Sequence, residues 1–568
     1  MTTLITQKYW QILSPNPLLQ AQWSDVLDIH PLMAQLLINR SLQTPQDAQH
    51  FLEASMDGLH DPFQLKDMER AVSRIRAAGQ RREKVLIVGD YDVDGVTSSA
   101  LLVSALKELD FDVENHIPHR LHDGYGLNAQ MAELAQNRGA RLVITVDCGI
   151  TASAEVALIK DKGIDVIIID HHQPPEEGIP DAYAVIDPKQ KNCAYPFKEL
   201  AAVGLVAKLV AALCGRMDHD HLDLVALGTV ADVVPLRGEN RIFVKSGLPR
   251  IQETKKKGLA ALIDISRMKK DGRLRPYAVG FILGPRINAA GRMGSAQTSL
   301  ELLLTDDHGR AYVLAQTLED CNAQRQRLQR MIIQEAVAEV DQNVNFKDHK
   351  VIVVGKEGWH KGVIGIVAAR VAELYGRPAV IIAIENGWGT ASARSIEGFH
   401  LHEALTYCAP ILENFGGHKQ AAGLTIKEEN IAAFTQLINQ FAQGVMQVKD
   451  LFPQLVIDAE VPLSQMTIGF AEDLECLEPF GEGNPTPVFA TRRLKVKGAP
   501  VVLGRDTLKL WLTDGAITVS AIGFGMARYR DYLYAGQKVD VAFELSIDDW
   551  RHPPEVQLKI KDIRESVE

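Results

Sequence analysis

The chain has 568 residues, 61 Lys plus Arg against 72 Asp plus Glu, and a formal charge of −11. Its hydrophobic content of 46% and charged content of 23% are ordinary for globular proteins and exclude wholesale disorder. No run approaches the roughly 18 uninterrupted apolar residues that a membrane span needs, and an acidic total ordinarily argues against a nucleic-acid partner.

The length suits roughly three to five domains. The N-terminus shows no basic segment followed by a long apolar core, so no secretory signal is expected. Six cysteines (148, 193, 214, 321, 408 and 476) are widely spaced without a Cys-x-x-Cys pair. That spacing argues against a zinc ribbon or disulfide framework and for a reducing cytoplasm. The first 80 residues read as short helices broken by Pro and Gly.

From there apolar runs alternate with helical ones. Val85 to Val88, Leu142 to Val146 and Val166 to Ile169 read as strands, with a weaker run from Asp112 to Ile117. Ser98 to Leu109 and Ala152 to Lys162 carry helical spacing. Near-continuous apolar strands between helices predict an α/β domain built on a parallel sheet covered on both faces. Ligands of such sheets sit beyond the carboxyl ends of the strands, where Asp90, Asp147 and Asp170 stand. Arg310 to Asp341 lacks Gly and Pro and repeats Leu314, Leu318, Cys321, Leu328 and Ile332 on one helical face, which predicts a long connector helix. A second α/β unit follows: a strand at Val351 to Val354, a helix from Val363 to Tyr375 and a strand from Ala379 to Ile384. Alternating short strands at 508–512, 519–524, 539–545 and 556–560 then suit a small antiparallel barrel, with the OB type leading.

Four clusters carry the chemistry: Gly89-Asp-Tyr-Asp-Val-Asp-Gly95, Val146-Asp-Cys-Gly149, Asp170-His-His172 and Ala231-Asp-Val-Val-Pro235. Asp90, Asp92 and Asp94 within five residues would repel strongly if buried without a cation. An oxygen-rich set with one or two imidazoles and no thiolate favours Mn²⁺ or Mg²⁺ over zinc. Carboxylates converging on one rim can hold two such ions for phosphate-ester hydrolysis, and a bridging aspartate at a strand end, such as Asp147, is well placed between them. The first cluster also opens like an EF-hand loop, but Leu101 stands where the twelfth-position Glu would be.

Taken in this order, the clusters resemble the motifs of the DHH phosphoesterase superfamily. Ile117-Pro-His-Arg120 followed by Gly124-Tyr-Gly126, and Gly284-Pro-Arg-Ile-Asn-Ala-Ala-Gly-Arg292, resemble its single-strand-specific 5′→3′ exonucleases over about 500 residues. Gly416-Gly-His-x-x-Ala-Ala-Gly423 resembles the domain associated with DHH enzymes. The resemblance implies a DHH catalytic domain with a helical N-terminal extension (1–305), a connector helix (306–345), a DHH-associated phosphate- and nucleic-acid-binding domain (346–450) and an OB-fold domain (451–568). It implies two divalent ions, with Asp92, Asp94, Asp147, His171 and Asp232 as ligands. Asp90, Asp170 and His172 would stand close around them, His172 meeting the scissile phosphate or the leaving group. Relatives such as the superfamily's pyrophosphatases carry a His four residues before the first Asp of their Asp-x-Asp pair, where this chain has Val88.

A nuclease must also grip phosphates. Guanidinium groups match phosphate bidentately, so Arg120, Arg286, Arg292 and Arg394 are the candidate contacts. Ser392, Gly417 and His418 add hydroxyl, backbone N–H and imidazole donors, and by the resemblance part of this set captures the terminal 5′ phosphate. Residues 237–292 hold fourteen Lys or Arg against four Asp or Glu, which leaves about −21 elsewhere and offers a basic tract for a single strand. Lys509, Trp511, Phe524, Arg528, Tyr529, Arg530 and Tyr532 mix cations and aromatics in the barrel. The function expected is a metal-dependent exonuclease on single-stranded DNA in recombination and repair. A single-strand-binding protein and a helicase as partners, a monomeric state and DNA over RNA follow from the resemblance alone. Small-substrate members of the superfamily are typically shorter and lack a barrel, and a nuclease-dead binder would have lost ligands that are present here.

Overall fold

Five short runs between residues 85 and 186, four of them apolar, are each too short for a stable helix, and they assemble side by side. In this computed structural model, which describes residues 8–120, 126–268, 272–549 and 552–566, they form a wholly parallel sheet. Its strands lie in the order Val113–His116, Val85–Gly89, Leu142–Val146, Asp165–Ile169, Ala184–Ile186. Leu86, Val88, Val143, Val166 and Ile168 pack on the helices Gln130–Asn137 and Ser153–Asp161. The helices Val93–Glu108 and Ala202–Cys214 cover the other face, which is why the central strands are buried throughout. The short fifth strand, Ala184–Ile186, was passed over in the sequence because three residues carry no periodicity.

The chain divides into two units. One comprises His60–Asp232 and Ser246–Pro453, the other Met1–Leu59, Val233–Lys245 and Gln454–Glu568. In the first, the helix His308–Asn343 runs 36 residues, about 54 Å at a rise of 1.5 Å per residue. Its early turns bury Ala311, Leu314 and Leu318, while Ile332, Ala336 and Val340 pack against a second sheet and its helix Ile364–Tyr375. That sheet has the order Asn414–Gly417, Ala421–Lys427, Trp388–Arg394, Ala379–Glu385, Ile352–Glu357.

In the second unit, Phe489–Leu503 pairs with both Thr507–Thr513 and Lys538–Asp548, closing a five-stranded barrel through Thr518–Phe524 and Glu555–Glu565. This is the OB-type barrel expected. Its first strand escaped the sequence pattern because the consecutive Arg492 and Arg493, at a register shift between Thr491 and Leu494, interrupt the apolar alternation. The leading helices, assigned from sequence to the catalytic domain, bury Trp23, Leu36, Leu37 and Phe51 in one core with the barrel side chains Phe489, Leu510 and Phe543. The strand Tyr9–Ile12 pairs in parallel with Gln454–Ile457, and the Trp10 indole N–H donates to Asp562 at 2.7 Å. Their apolar faces therefore belong with the barrel unit.

The basic tract also needs correcting. Arg241 is buried, donating to the carbonyls of Phe51, Cys476, Leu477 and Glu478, while Lys245 donates to Leu52 and Glu53. Arg237 donates to the Gly483 carbonyl, and Lys256 pairs with Asp223 at 2.8 Å. Part of that charge therefore serves as internal glue, while Arg250, Lys255, Arg267, Arg273 and Arg275 are exposed. Among the described residues no helix is long and apolar enough to cross a membrane.

Candidate metal centre and phosphate cradle

Parallel strands aim their carboxyl ends at one rim, and the acid clusters follow from that direction. Asp90 follows the strand Val85–Gly89, Asp147 follows Leu142–Val146, and Asp170 follows Asp165–Ile169. Asp232 caps the helix Leu222–Ala231. Asp92 is the N-cap of Val93–Glu108, its Oδ1 accepting the N–H groups of Asp94 at 3.0 Å and Gly95 at 3.1 Å. Gly95 is fixed by space: a Cβ there would lie 2.5 Å from the Asp90 carbonyl oxygen.

Three overlapping sets of ligand atoms result, each set lying within 4.8 Å: Asp90, Asp92 and Asp147; Asp94, His171 and Asp232; Asp147, His171 and His172. Asp147 belongs to two of them. Asp90, expected only to flank the ligands, offers an oxygen in the first. His171 Nε2 lies 3.3 Å from Asp147 Oδ1 and 3.5 Å from Asp232 Oδ2 without a hydrogen bond to either. Burial drives the carboxyls of Asp90, Asp147 and Asp232 far above their ordinary range, and neighbouring carboxylates add to the shift. Asp94 is pushed up to about 7 by burial and by Asp92. His171 is lowered to about 3, first by burial and then by His172, so its imidazole is neutral. Buried acceptor oxygens without donors, around a neutral imidazole and with no thiolate, form a donor set that fits hard divalent cations. Val88 is buried in its strand and offers no donor atom.

Asp170 does something different. Its oxygens accept the N–H groups of His171 (2.8 Å), His172 (3.1 Å) and Ile150 (2.9 Å), and Oδ1 lies 2.7 Å from His172 Nδ1. Those bonds keep Asp170 ionised below its ordinary range although burial opposes this. Burial alone would lower the His172 pKa; the bond and charge of Asp170 outweigh it and raise the imidazole above its usual value.

The basic groups divide. The Arg120 guanidinium lies 4.6 Å over the Tyr91 ring. Arg292 donates to the Gly362 carbonyl at 3.2 Å. Its pKa is lowered to about 10 by burial and by the charges of Arg120, Arg325 and Arg394. Arg394 lies on the strand Trp388–Arg394, donating to Ser392 Oγ and the Ala393 carbonyl. Ser392 pairs in register with Gly423, and Gly417 with Ala422, which brings the two segments onto adjoining strands. Gly417 takes φ +139°, and a Cβ there would meet the Ala421 oxygen at 2.4 Å. His418 is lowered by partial burial and by the charges of His172, His402 and Lys189. Arg286 stands apart, bound to Glu319 of the long helix at 2.5 Å and to the Ile282 carbonyl at 2.7 Å. Trp359 is buried and donates to Glu335, so it packs. Gly124 and Tyr125 lie outside the described residues.

Sequence reasoning missed Lys189, whose positive charge opposes protonation of His171 and His418 and steadies the Asp232 carboxylate. It also missed Asp187, buried and pushed up to about 7 by that burial. Both follow the fifth strand, and Asp187 repeats the strand-end aspartate already seen three times.

The chain matches the DHH family N-terminal domain over residues 84–229, the DHHA1 domain over 348–444 and the RecJ OB domain over 457–562. It is 37% identical to the single-stranded-DNA-specific exonuclease RecJ of Bacillus subtilis over 98% of this chain and 71% of that protein. The chain belongs to the RecJ family. The crystal structure of Thermus thermophilus RecJ with Mn²⁺ superposes with a TM-score of 0.85 at 29% identity, covering 100% of this chain and 81% of that one. The structure of RecJ from the same organism with Mg²⁺ gives 0.79 at 28% identity, covering 99% and 79%. The fold assigned from sequence, a parallel-sheet DHH domain, a connector helix, a DHH-associated domain and an OB barrel, is that of RecJ.

Proposed function

We propose that the protein is a metal-dependent exonuclease that hydrolyses single-stranded DNA from its 5′ end to 5′-mononucleotides, in recombination and repair. The carrying observation is the convergence of seven buried or half-buried acid and imidazole side chains on one sheet rim. Asp92, Asp94, Asp147, His171 and Asp232 would hold the two divalent ions, Mn²⁺ or Mg²⁺, and Asp90 offers a further oxygen beside them. When bound, the ions supply a nucleophile at neutral pH and stabilise charge on the phosphate oxygens.

The chain's own groups complete the reaction. Asp170 orients the His172 ring through Nδ1 and keeps it protonated, so the opposite ring nitrogen donates to the scissile phosphate or the leaving oxygen. Arg120, Arg292 and Arg394 neutralise the terminal phosphate, and Ser392, Gly417 and His418 supply further donors. Arg286 positions the helix bearing Arg292 through Glu319. By family likeness, a single-strand-binding protein and a helicase act with it, and it works as a cytoplasmic monomer.

The test uses purified protein, Mn²⁺ and 5′-labelled single strands. Labelled mononucleotides should be released, and EDTA or Asp147→Ala should abolish release. Binding without hydrolysis in any divalent metal overturns the reading.

A further inference from the structure

The last turn of the helix Leu222–Ala231 is pressed onto the metal rim. A Cβ on Gly228 would lie 2.3 Å from Thr97 Oγ1 and 3.0 Å from Asp94 Oδ1, and Asp232 closes the turn with its N–H on the Gly228 carbonyl at 2.9 Å. The next residue, Val233, reverses the chain at φ +62°. That position after a helix ordinarily goes to glycine, because a Cβ in the left-handed region crowds the following carbonyl, and a branched one crowds it most. Among the described residues Val233 is the only β-branched residue at positive φ. The chain beyond it is pinned as well: Leu236 donates its N–H to the Glu482 carbonyl at 2.7 Å, and the Pro235 carbonyl accepts from Arg237 and from Asn240 Nδ2. Such a backbone persists only where its surroundings over-determine it, and it collects at functional sites.

Nothing in the fold asks for a valine there. Its side chain is 64% exposed, so burial does not offset the crowding. Were the turn alone required, glycine would make it without strain. The side chain must therefore serve something outside the fold, and its place says what. Of the residues directly flanking the seven acid and imidazole side chains, only Gln173 and Val233 are exposed, and only Val233 is apolar. Its neighbour Asp232 offers an oxygen within 4.8 Å of ligand atoms on Asp94 and His171. A phosphate held by ions at that set brings its own sugar and base along the rim, and their carbons are the apolar surface a bare isopropyl group can cover.

We infer that Val233 is a substrate contact, its isopropyl group packing on the sugar and base of the nucleotide whose phosphate the metal rim holds. This rests on the exonuclease reading above and extends it to the nucleoside part of the substrate. The strained backbone presents the side chain outward beside Asp232, where a relaxed turn with glycine would present none. Carbons common to every nucleotide are covered, so grip without base preference follows.

The experiment titrates wild type, Val233→Gly and Val233→Ile with 5′-dAMP and with inorganic phosphate in Mn²⁺ by calorimetry. Val233→Gly should weaken 5′-dAMP roughly three- to ten-fold, as loss of a partly covered valine requires, and leave inorganic phosphate unchanged. Val233→Ile, which keeps the branched apolar surface, should rescue the nucleotide. Equal weakening of both ligands would mean that the residue only orients Asp232, and overturns the contact. Unchanged 5′-dAMP affinity, or no binding of 5′-dAMP by wild type, overturns it too. In EDTA the melting temperature of Val233→Gly should rise, because glycine relaxes the left-handed turn; a fall would show that the side chain serves the fold, and would also overturn the contact. On 5′-phosphorylated strands of two and of twenty nucleotides, Val233→Gly should raise KM by the same factor, since the contact lies at the nucleotide being cleaved. A rise confined to the longer strand overturns it. Calorimetry needs no turnover, so a wild type that discriminates as expected yet hydrolyses no strand sinks the exonuclease reading and leaves the contact standing.

Discussion

The Asp94 carboxylate accepts the backbone N–H of Ala202 at 2.7 Å and that of Val203 at 2.9 Å, at the start of the helix Ala202–Cys214. One buried side chain therefore anchors a helix beneath the sheet and also stands within ligand distance of His171 and Asp232. Its neighbour Asp147, at φ +62°, is raised far above its ordinary range by burial and by Asp92, Asp94, Asp232 and Asp90. Removing the two acceptors should cost about 1–3 kcal/mol for each buried N–H left unpaired. Asp94→Ala should therefore lower the melting temperature in EDTA. Asp147→Asn, which tolerates the left-handed backbone and removes a repelled charge, should leave it unchanged or raise it. Both should lose activity. A fall in the metal-free melting temperature of Asp147→Asn would show that the carboxylates are not in repulsion.

The same repulsion predicts how stability depends on pH. Asp90, Asp147 and Asp232 are all raised, and Asp94 to about 7, so these four carboxyls hold more protons in the native protein than in the unfolded chain above about pH 4. They outnumber the opposite contribution of His171, lowered to about 3. Stability in EDTA should then fall as pH rises from 4 through 7, the reverse of a protein held by ion-paired carboxylates. Divalent cations compete with those protons, so the gain in melting temperature from Mn²⁺ should be larger at pH 8 than at pH 5. Thermal melts at the two values, with Mn²⁺ and with EDTA, measure it. An equal gain at both would count against a site made of raised carboxylates.

Much of this site was legible because a parallel strand delivers its last residue to a fixed rim. Asp90, Asp147 and Asp170 could be placed from three apolar runs and the direction of the chain. Asp187 and Lys189 could not, since the strand before them has only three residues and no period to read. Arg286 looked equivalent to Arg292, but its fate depends on Glu319, which lies 33 residues away on another helix. Likewise the leading helices show an apolar stripe, while the partner of that stripe lies about 450 residues on in the barrel. Local pattern fixes local structure, whereas the choice between two possible partners is made by packing.

Asp170 offers a prediction about the imidazole it holds. Its charge and its bond at Nδ1 raise His172, so Asp170→Asn should lower the His172 pKa and move the alkaline limb of kcat to lower pH. The loss of a correctly held acid should reduce kcat about 10²- to 10⁴-fold, with KM changing much less. A pH–rate profile for the variant beside wild type checks this. If kcat falls with the alkaline limb unmoved, Asp170 acts by holding the loop and not by setting the His172 charge.

The division among the arginines makes the last prediction. Arg292 senses the charges of Arg120 and Arg394, and Arg394 that of Arg120, and such crowding of cations favours an anion between them. Arg286 is already neutralised by Glu319. Charge-assisted hydrogen bonds are worth about 1.5–3 kcal/mol each, so Arg292→Ala and Arg394→Ala should weaken a 5′-phosphorylated strand roughly 10- to 100-fold in kcat/KM. A strand ending in a 5′-hydroxyl lacks the group being gripped and should lose far less. Arg286→Ala should slow both substrates by the same factor and lower the melting temperature, because it removes a partner of the long helix. Measuring kcat/KM on paired 5′-phosphate and 5′-hydroxyl strands separates the two roles. If Arg286→Ala abolishes the preference for phosphate while Arg292→Ala retains it, the cradle has been assigned to the wrong side chains.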